Sequence, residues 1–229
     1  MLNKSKGNMY HFIDYTWNPI KGECHHNCSY CYMKVINPNA APPRLVDSEF
    51  TTNLGKGNSI FVGSSTDMFA ENIPSEWINK VLDFCYQNND PMKPNTYLLQ
   101  SKNPKRFLDF IKHPLMKHVV FATTIETNRY YPEIMVNSPK IEDRGNAMKI
   151  IAEKGYYTMI TAEPLLAFDK AEFVEIIKQC TPRFVNIGRE SIRKIRVPEP
   201  TSTQVKELVA ELRKITKVII KSNAKSWLG

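Results

Sequence analysis

Cys24, Cys28 and Cys31 stand in the run Cys24-His-His-Asn-Cys28-Ser-Tyr-Cys31, a C-x3-C-x2-C pattern that takes three of the five cysteines in the chain. Three thiolates this close together can converge on one metal centre and leave a coordination position open. A purely structural site would normally be closed by a fourth ligand, so an open position beside soft sulfur donors points to chemistry.

The elements that must hold this loop are legible in the hydrophobic pattern. Short β-rich runs at residues 11–17, 59–63, 96–100, 119–125, 157–162, 184–187 and 217–221 alternate with amphipathic segments. Most of the runs are continuously apolar or β-branched, as expected of strands buried on both faces of a parallel sheet. Between them, Ser75 is expected to cap a helix running to about Gln87. Pro104 is expected to start another helix, with an apolar stripe of Phe107, Leu108, Phe110 and Ile111. Residues 141–154 read as a helix that stops at Gly155. Asp169 with Glu172, and Thr201 with Gln204, have capping-box spacing ahead of two further helices.

Repeated β-α units form either an open doubly wound sheet or a barrel. Six or seven units without a glycine-rich dinucleotide fingerprint favour an α/β fold of the full or partial barrel type. One domain is expected over residues 1–229. Within it the cysteine loop occupies about 18–35, an ordered loop or lid 37–54, and a C-terminal helix and strand 201–223. Chemistry in such folds sits at the C-terminal ends of the strands. Polar residues gather there: Ser64 to Asp67, Ser101 and Lys102, Glu126 to Asn128, Glu163, and Arg189 to Ser191. Five successive strand ends of this kind describe a lined cavity.

Composition narrows the setting. The net charge of +8 suits a polyanion such as nucleic acid or a small anionic substrate, and equally a solvated surface. Positive charge is densest over residues 102–117, 183–196 and 206–225. No apolar run reaches the roughly 18 residues needed to cross a bilayer. The polar N-terminus lacks the apolar core of a signal peptide, so a cytoplasmic protein with no membrane partner is expected. An odd cysteine count fits a reducing compartment. Cys85 and Cys180 fall in helical patterns and read as buried apolar residues.

The cysteine pattern, with Tyr30 before its last member and a strand ahead of it, resembles the signature of the radical S-adenosylmethionine (radical SAM) superfamily. Five further segments resemble a small phage- and prophage-associated group of radical SAM-like proteins, loosely akin to spore photoproduct lyase. They are Trp17-Asn-Pro19, Val62-Gly-Ser-Ser-Thr-Asp67-Met-Phe69, Ile125-Glu126, Ala162-Glu163-Pro164-Leu-Leu166 and Ile187-Gly188-Arg-Glu190-Ser191. The chain departs from that group at Arg189, where a second glycine is usual. It departs from the superfamily at Gly63-Ser64-Ser65, where Gly-Gly-Glu is common.

The resemblance implies a partial (β/α)6 TIM-like barrel with a [4Fe-4S] cluster on Cys24, Cys28 and Cys31. It implies S-adenosylmethionine on the fourth iron, and an external electron donor of the flavodoxin or ferredoxin kind. Reductive cleavage of the cofactor would give a 5′-deoxyadenosyl radical that abstracts hydrogen from a substrate. By the same resemblance, Gly63, Ser64 and Ser65 would meet the methionine amino group through backbone and hydroxyl groups. Thr124, Glu126 and Asn128 would face ribose or carboxylate, Tyr30 would pack near the adenine, and Glu163 belongs with this cofactor-binding set.

Two substrate readings stay open: a nucleobase, nucleotide or nucleic acid, or an amino acid, peptide or small metabolite. Lys102, Arg189 and Arg193 are candidate anchors for phosphate or carboxylate in either case. Glu126 and Glu163 each read equally well as ordinary solvated or salt-bridged carboxylates. The competing reading of the cysteines is structural zinc on Cys24, Cys28 and Cys31 with His25 or His26, in a nucleic-acid-binding protein without catalysis. A second ligand pair farther along the sequence, usual for such zinc sites, is not found. The two histidines otherwise face the cavity or solvent, where either could donate a proton.

Overall fold

Strands covered on both faces need apolar residues at every position, and the computed structural model of the chain is organised around such strands; it describes residues 1–191 and 196–229. The chain opens with β1 (Asn3–Lys4), β2 (Tyr15–Trp17), β3 (Ile20–Lys21), a single helical turn α1 (Met33–Ile36) and β4 (Arg44–Leu45). Next come β5 (Ser59–Val62), α2 (Ser75–Gln87), β6 (Thr96–Gln100), β7 (Val119–Thr124), α3 (Pro132–Met135) and α4 (Ile141–Glu153). The chain continues through β8 (Tyr157–Ala162), α5 (Lys170–Gln179), β9 (Phe184–Ile187), α6 (Ser202–Leu212) and β10 (Lys217–Ile220).

Eight strands make one sheet in the order β1-β2-β5-β6-β7-β8-β9-β10, while β3 and β4 pair separately as a two-stranded ribbon whose connection carries the cysteine loop and α1. Within this sheet only the short β1 runs antiparallel; β2 and β5 to β10 are parallel to one another. The sheet is a partial TIM-like barrel, as the alternation of elements predicts, and β1 and β10 are its open edges.

Side chains alternate between two layers, the period-2 consequence of the strand pleat. Ile60, Val62, Tyr97, Leu99, Phe121, Ile160, Val185 and Ile187 face outward into the main core, where Ile78, Val81, Leu82 and Cys85 of α2 and Phe173, Ile177 and Cys180 of the α5 region meet them. Phe61, Leu98, Ala122 and Met159 face the barrel interior, where the segment ahead of β2 fills the space with Tyr10 and Ile13. Phe12 packs on the same cluster, its ring 5.3 Å from Phe184 in an edge-on contact. An aromatic plug from the N-terminal segment thus supplies packing that a fully closed barrel would take from its own strands.

Local differences from the sequence reading have clear causes. The segment after Pro104 is a 3-10 helix (Pro104–Phe110), followed by a second one (Pro114–His118). Its buried residues, Pro104, Phe107 and Phe110, lie three apart, which is the period of a 3-10 turn rather than an α-helix. Pro74, not Ser75, occupies the cap position of α2, and the Ser75 hydroxyl instead accepts from Arg106 Nη2 at 3.3 Å. Asp169 precedes α5 without capping it, because Arg129 takes its carboxylate at 2.8 and 2.6 Å. The capping box of Thr201 and Gln204 forms as expected. Gly155, at φ +85°, ends the turn after α4.

If the N-terminal segment is the plug of the barrel, Ile13→Ala, which empties a buried position between strands, should lower unfolding free energy by about 2–5 kcal/mol in urea titrations. A loss below about 1 kcal/mol would mean the segment lies on the barrel without contributing to it.

Candidate functional site

The cysteine loop is held on three sides. Behind it, the segment leading into β4 presses close: a Cβ at Gly22, whose φ is +131°, would lie 2.6 Å from Pro42 O and 2.7 Å from Pro43 Cα. The Glu23 amide donates to Ala41 O at 2.8 Å, so residues ahead of Cys24 are fixed to the 37–54 segment. Within the loop, Asn27 takes the left-handed conformation at φ +49°, one that asparagine tolerates, and its amide closes a turn onto Cys24 O. On the third side, Ser29 N donates to Ile134 O, Asn137 N to His26 O, and Asn137 Nδ2 to His25 O.

Asp67, in the loop after β5, joins this assembly to the strand ends. Its Oδ2 meets His26 Nε2 at 2.8 Å and accepts from Ser101 Oγ and the Lys102 amide, each at 2.9 Å; Oδ1 accepts from the Phe69 amide at 3.0 Å. Burial alone would raise this carboxyl, but His26, the Lys102 amide and Ser101 outweigh it and hold Asp67 below the usual carboxylate range. A neighbouring bond serves the same end: Asn18 Oδ1 accepts from Ser64 Oγ and the Ser65 amide, tying the loop after β2 to that after β5.

The three cysteines line a cavity of about 850 Å³ at the C-terminal ends of the strands. Tyr30, Gly63, Ser64, Ser65, Thr124 and Glu163 of the expected site line it too, as do Lys102 and Arg189. Cys28 is buried, with Ser138 Oγ 3.3 Å from its sulfur, while Cys24 and Cys31 are partly exposed. Burial, followed by the charge of Asp67, pushes the Cys24 thiol up to about 12. Metal coordination deprotonates such a thiol outright, so this value describes the sulfur without a metal.

The donor chemistry is that of an iron–sulfur cluster, in which each of three thiolates on one loop would bind its own iron. Both His26 nitrogens are already engaged, by Asp67 and by Asn137 O at 3.5 Å, so His26 is placed to brace the loop and not to complete a Cys3His site. His25 does not line the cavity.

Glu126 and Asn128 part company. Glu126 is fully buried behind the cavity, where Arg144 Nη1 reaches it at 2.8 Å, the Tyr30 hydroxyl donates to it, and Lys102 Nζ lies 3.6 Å away. Burial would raise its carboxyl, but Arg144 and Lys102 hold it below the usual range. The Lys102 ammonium in turn sits 5.2 Å from the centre of the Tyr30 ring. Asn128 points away to the surface, donating to Asp169 at 3.2 Å, and is not brought to the cavity. Arg193 lies outside the described residues.

Four residues that sequence reasoning gave no role complete the picture: Asn8, Tyr10, Lys221 and Arg144. Lys221 Nζ pairs with Glu163 Oε2 at 2.6 Å, and Asn8 Nδ2 donates to Glu163 Oε1 at 2.6 Å. Lys221 also lies over the Tyr10 ring at 4.5 Å, and the Tyr10 hydroxyl donates to Gln100 Oε1 at 2.8 Å. Lys221 follows a strand and obeys the same strand-end rule as the residues that were found. Arg144 shares the apolar face of α4 with Ile141, Met148 and Ile151, and a charge on such a stripe was its signal.

No family model matches this chain, and no curated protein matches it in sequence. Solved structures do match in fold. One is a cysteine-substituted spore photoproduct lyase with bound AdoMet and dinucleoside spore photoproduct, at TM-score 0.61 and 12% identity over 91% of this chain and 64% of that one. Another is SuiB of Streptococcus suis bound to S-adenosylmethionine, at TM-score 0.61 and 12% identity over 90% of this chain and 49% of that one. The chain thus spans under two thirds of that lyase structure and about half of SuiB. At this identity the likeness establishes the shared barrel.

The Glu126–Arg144 pair sets a test of the site's frame. Arg144→Met should destabilise the protein by about 3 kcal/mol in urea unfolding, because it leaves a buried carboxylate with only Lys102 and Tyr30, and Glu126→Gln added to it should restore much of the loss. A double variant no more stable than Arg144→Met alone would show that the two charges do not compensate one another.

Proposed function

We propose that this chain is a radical SAM enzyme, folded as one barrel domain over residues 1–229, with a [4Fe-4S] cluster on Cys24, Cys28 and Cys31. The observation that carries the reading is the position of three free thiols on one loop at the mouth of a barrel cavity of about 850 Å³. That space lies within the range of small-molecule and cofactor sites. The fold likeness to structures solved with S-adenosylmethionine supports the same cofactor here.

When bound and reduced by one electron, this cofactor pair supplies a 5′-deoxyadenosyl radical able to abstract hydrogen from an unactivated carbon. The residues of the chain position and shield it. Cys24, Cys28 and Cys31 hold the cluster, and the Asp67–His26 bond keeps their loop against the strand ends. Gly63 to Ser65, with the positive φ of Gly63, present backbone and hydroxyl groups beside the loop. Tyr30 is fixed by Glu126, so its ring forms a rigid wall where the cofactor's base would lie. Glu126 acts through Tyr30 and Lys102 and does not itself reach the cavity.

The substrate reading is a nucleobase, in a nucleotide or in nucleic acid. It rests on the +8 net charge, on Lys6 and Lys34 in the cavity lining beside the ion-paired Lys102, Arg189 and Lys221, and on the likeness to a lyase solved with a dinucleoside lesion. The motif likeness to phage-associated proteins leans the same way. SuiB has also been solved bound to its precursor peptide SuiA, so a peptide substrate remains the second reading. A reductant of the flavodoxin or ferredoxin kind would supply the electron, and free thiols fit a cytoplasmic setting.

Protein purified without oxygen should be brown, carry about four iron and four sulfide per chain, and convert S-adenosylmethionine to 5′-deoxyadenosine with dithionite. Cys28→Ala should abolish both colour and cleavage. Colourless protein with one zinc per chain would overturn the reading.

A further inference from the structure

One end of the cavity is built by residues that the cysteine loop does not need. Glu163 follows β8, Gly188 follows β9 and Lys221 follows β10, at the edge of the sheet farthest in strand order from β2. Glu163 and Lys221 line the cavity, yet their side chains are only 15% and 9% exposed. A buried ion pair stabilises a fold weakly, because desolvating both charges offsets most of their attraction. Several contacts nevertheless hold this one in a fixed pose. Asn8 and Lys221 each bond Glu163 at 2.6 Å, and Ser222 Oγ bonds Asn8 Oδ1 at 2.9 Å. Gly188 lies so close that a Cβ there would come within 2.7 Å of Glu163 Cγ and Cδ.

The layer beneath is also polar and incompletely paired. Thr161 and Asn186 stand opposite each other on β8 and β9, two residues before Glu163 and Gly188 and therefore on the same face. Thr161 Oγ1 and Asn186 Oδ1 are both buried, and neither has a hydrogen-bond partner among the described residues. Met9, Tyr10, Phe61 and Pro164 line the cavity as well and offer apolar surface for a flat ring.

We propose that Glu163 and Lys221 form a substrate-recognition subsite for the edge of an oxo-amino nucleobase of the guanine type. Glu163 accepts hydrogen bonds from the ring N–H and amino group, and Lys221 donates to the adjacent carbonyl. A carboxylate and an ammonium in contact present an acceptor and a donor side by side, the complement of neighbouring N–H and C=O groups on such an edge. A flat base also suits the apolar lining of Met9, Tyr10, Phe61 and Pro164, which a free amino acid would leave largely uncovered. This assignment rests on reading the same cavity as the catalytic one.

Calorimetric titration of the anaerobically reconstituted protein, with S-adenosylmethionine present, tests it using GMP, AMP and glutamine as probes. GMP should bind at least about tenfold more tightly than AMP, and glutamine should give no heat. Glu163→Gln and Lys221→Met should each weaken GMP about tenfold or more, with iron content and melting temperature checked to confirm folding. Lys221→Arg, which keeps a donor, should retain part of the affinity. Gly188→Ala gives an independent arm, because it displaces Glu163 and should weaken GMP without removing either charge. Equal affinity for AMP and GMP, binding of glutamine in their place, or unchanged GMP affinity in Glu163→Gln would each overturn the subsite. Selective GMP binding by protein that holds no cluster would leave the subsite standing and remove the cofactor reading. Cleavage of S-adenosylmethionine by protein that binds no GMP would do the reverse.

Discussion

The carboxylate of Asp67 is the point on which the site's geometry depends. It gathers a side chain from the cysteine loop, a side chain and an amide from the end of β6, and an amide from its own loop. A short metal-binding loop has no core of its own and cannot hold its thiols in register by local packing. Pinning it through His26 to a buried, ionised acceptor transfers the rigidity of the sheet to the sulfurs. Charge-assisted bonds of this kind are stronger than neutral ones and lose little to solvent when buried.

A second buried carboxylate, Glu126, does related work from another side. It fixes the Tyr30 ring, and with it the middle of the loop, against Arg144 of α4 and Lys102. The two acids therefore divide one task, since Asp67 anchors the loop at His26 and Glu126 anchors it at Tyr30. Both lie beneath or beside the cavity, and neither is free to accept a ligand without releasing what it holds. Acidic residues at strand ends are often read as chemistry, yet in this barrel two of them are committed to architecture.

How much of this could be read from the chain follows from the range of each interaction. The parallel strands were legible because burial on both faces leaves runs such as Tyr97 to Leu99 without polar interruption, although the first run, 11–17, is strand only at Tyr15–Trp17, its earlier residues turning into the barrel interior. The cysteines were legible because their spacing is local. Asp67 was visible as a polar residue at a strand end, but its role depends on His26, 41 positions earlier, and nothing local encodes that pairing. Glu126 and Asn128 looked equivalent, two residues apart after the same strand. Arg144 and Asp169, far along the chain, decide that one is buried and the other turned outward. The helix expected after Pro104 is wound as 3-10 turns that bury Pro104, Phe107 and Phe110, a choice made by burial that the stripe of Phe107, Leu108, Phe110 and Ile111 does not encode by itself.

The open sheet explains why recognition and folding meet at the N-terminal segment. A sheet whose edges do not pair leaves its interior exposed between β1 and β10, and Tyr10, Phe12 and Ile13 fill that space. The segment just before them then has to cross the cavity's rim. Asn8 makes that crossing, taking Glu163 on one side and Ser222 on the other. Its amide satisfies a carboxylate that β8 delivers and a hydroxyl that follows β10, so the plug is latched by the same atoms that shape the polar end of the cavity. Beneath Tyr10, Thr161 and Asn186 face each other across β8 and β9 with buried side-chain oxygens.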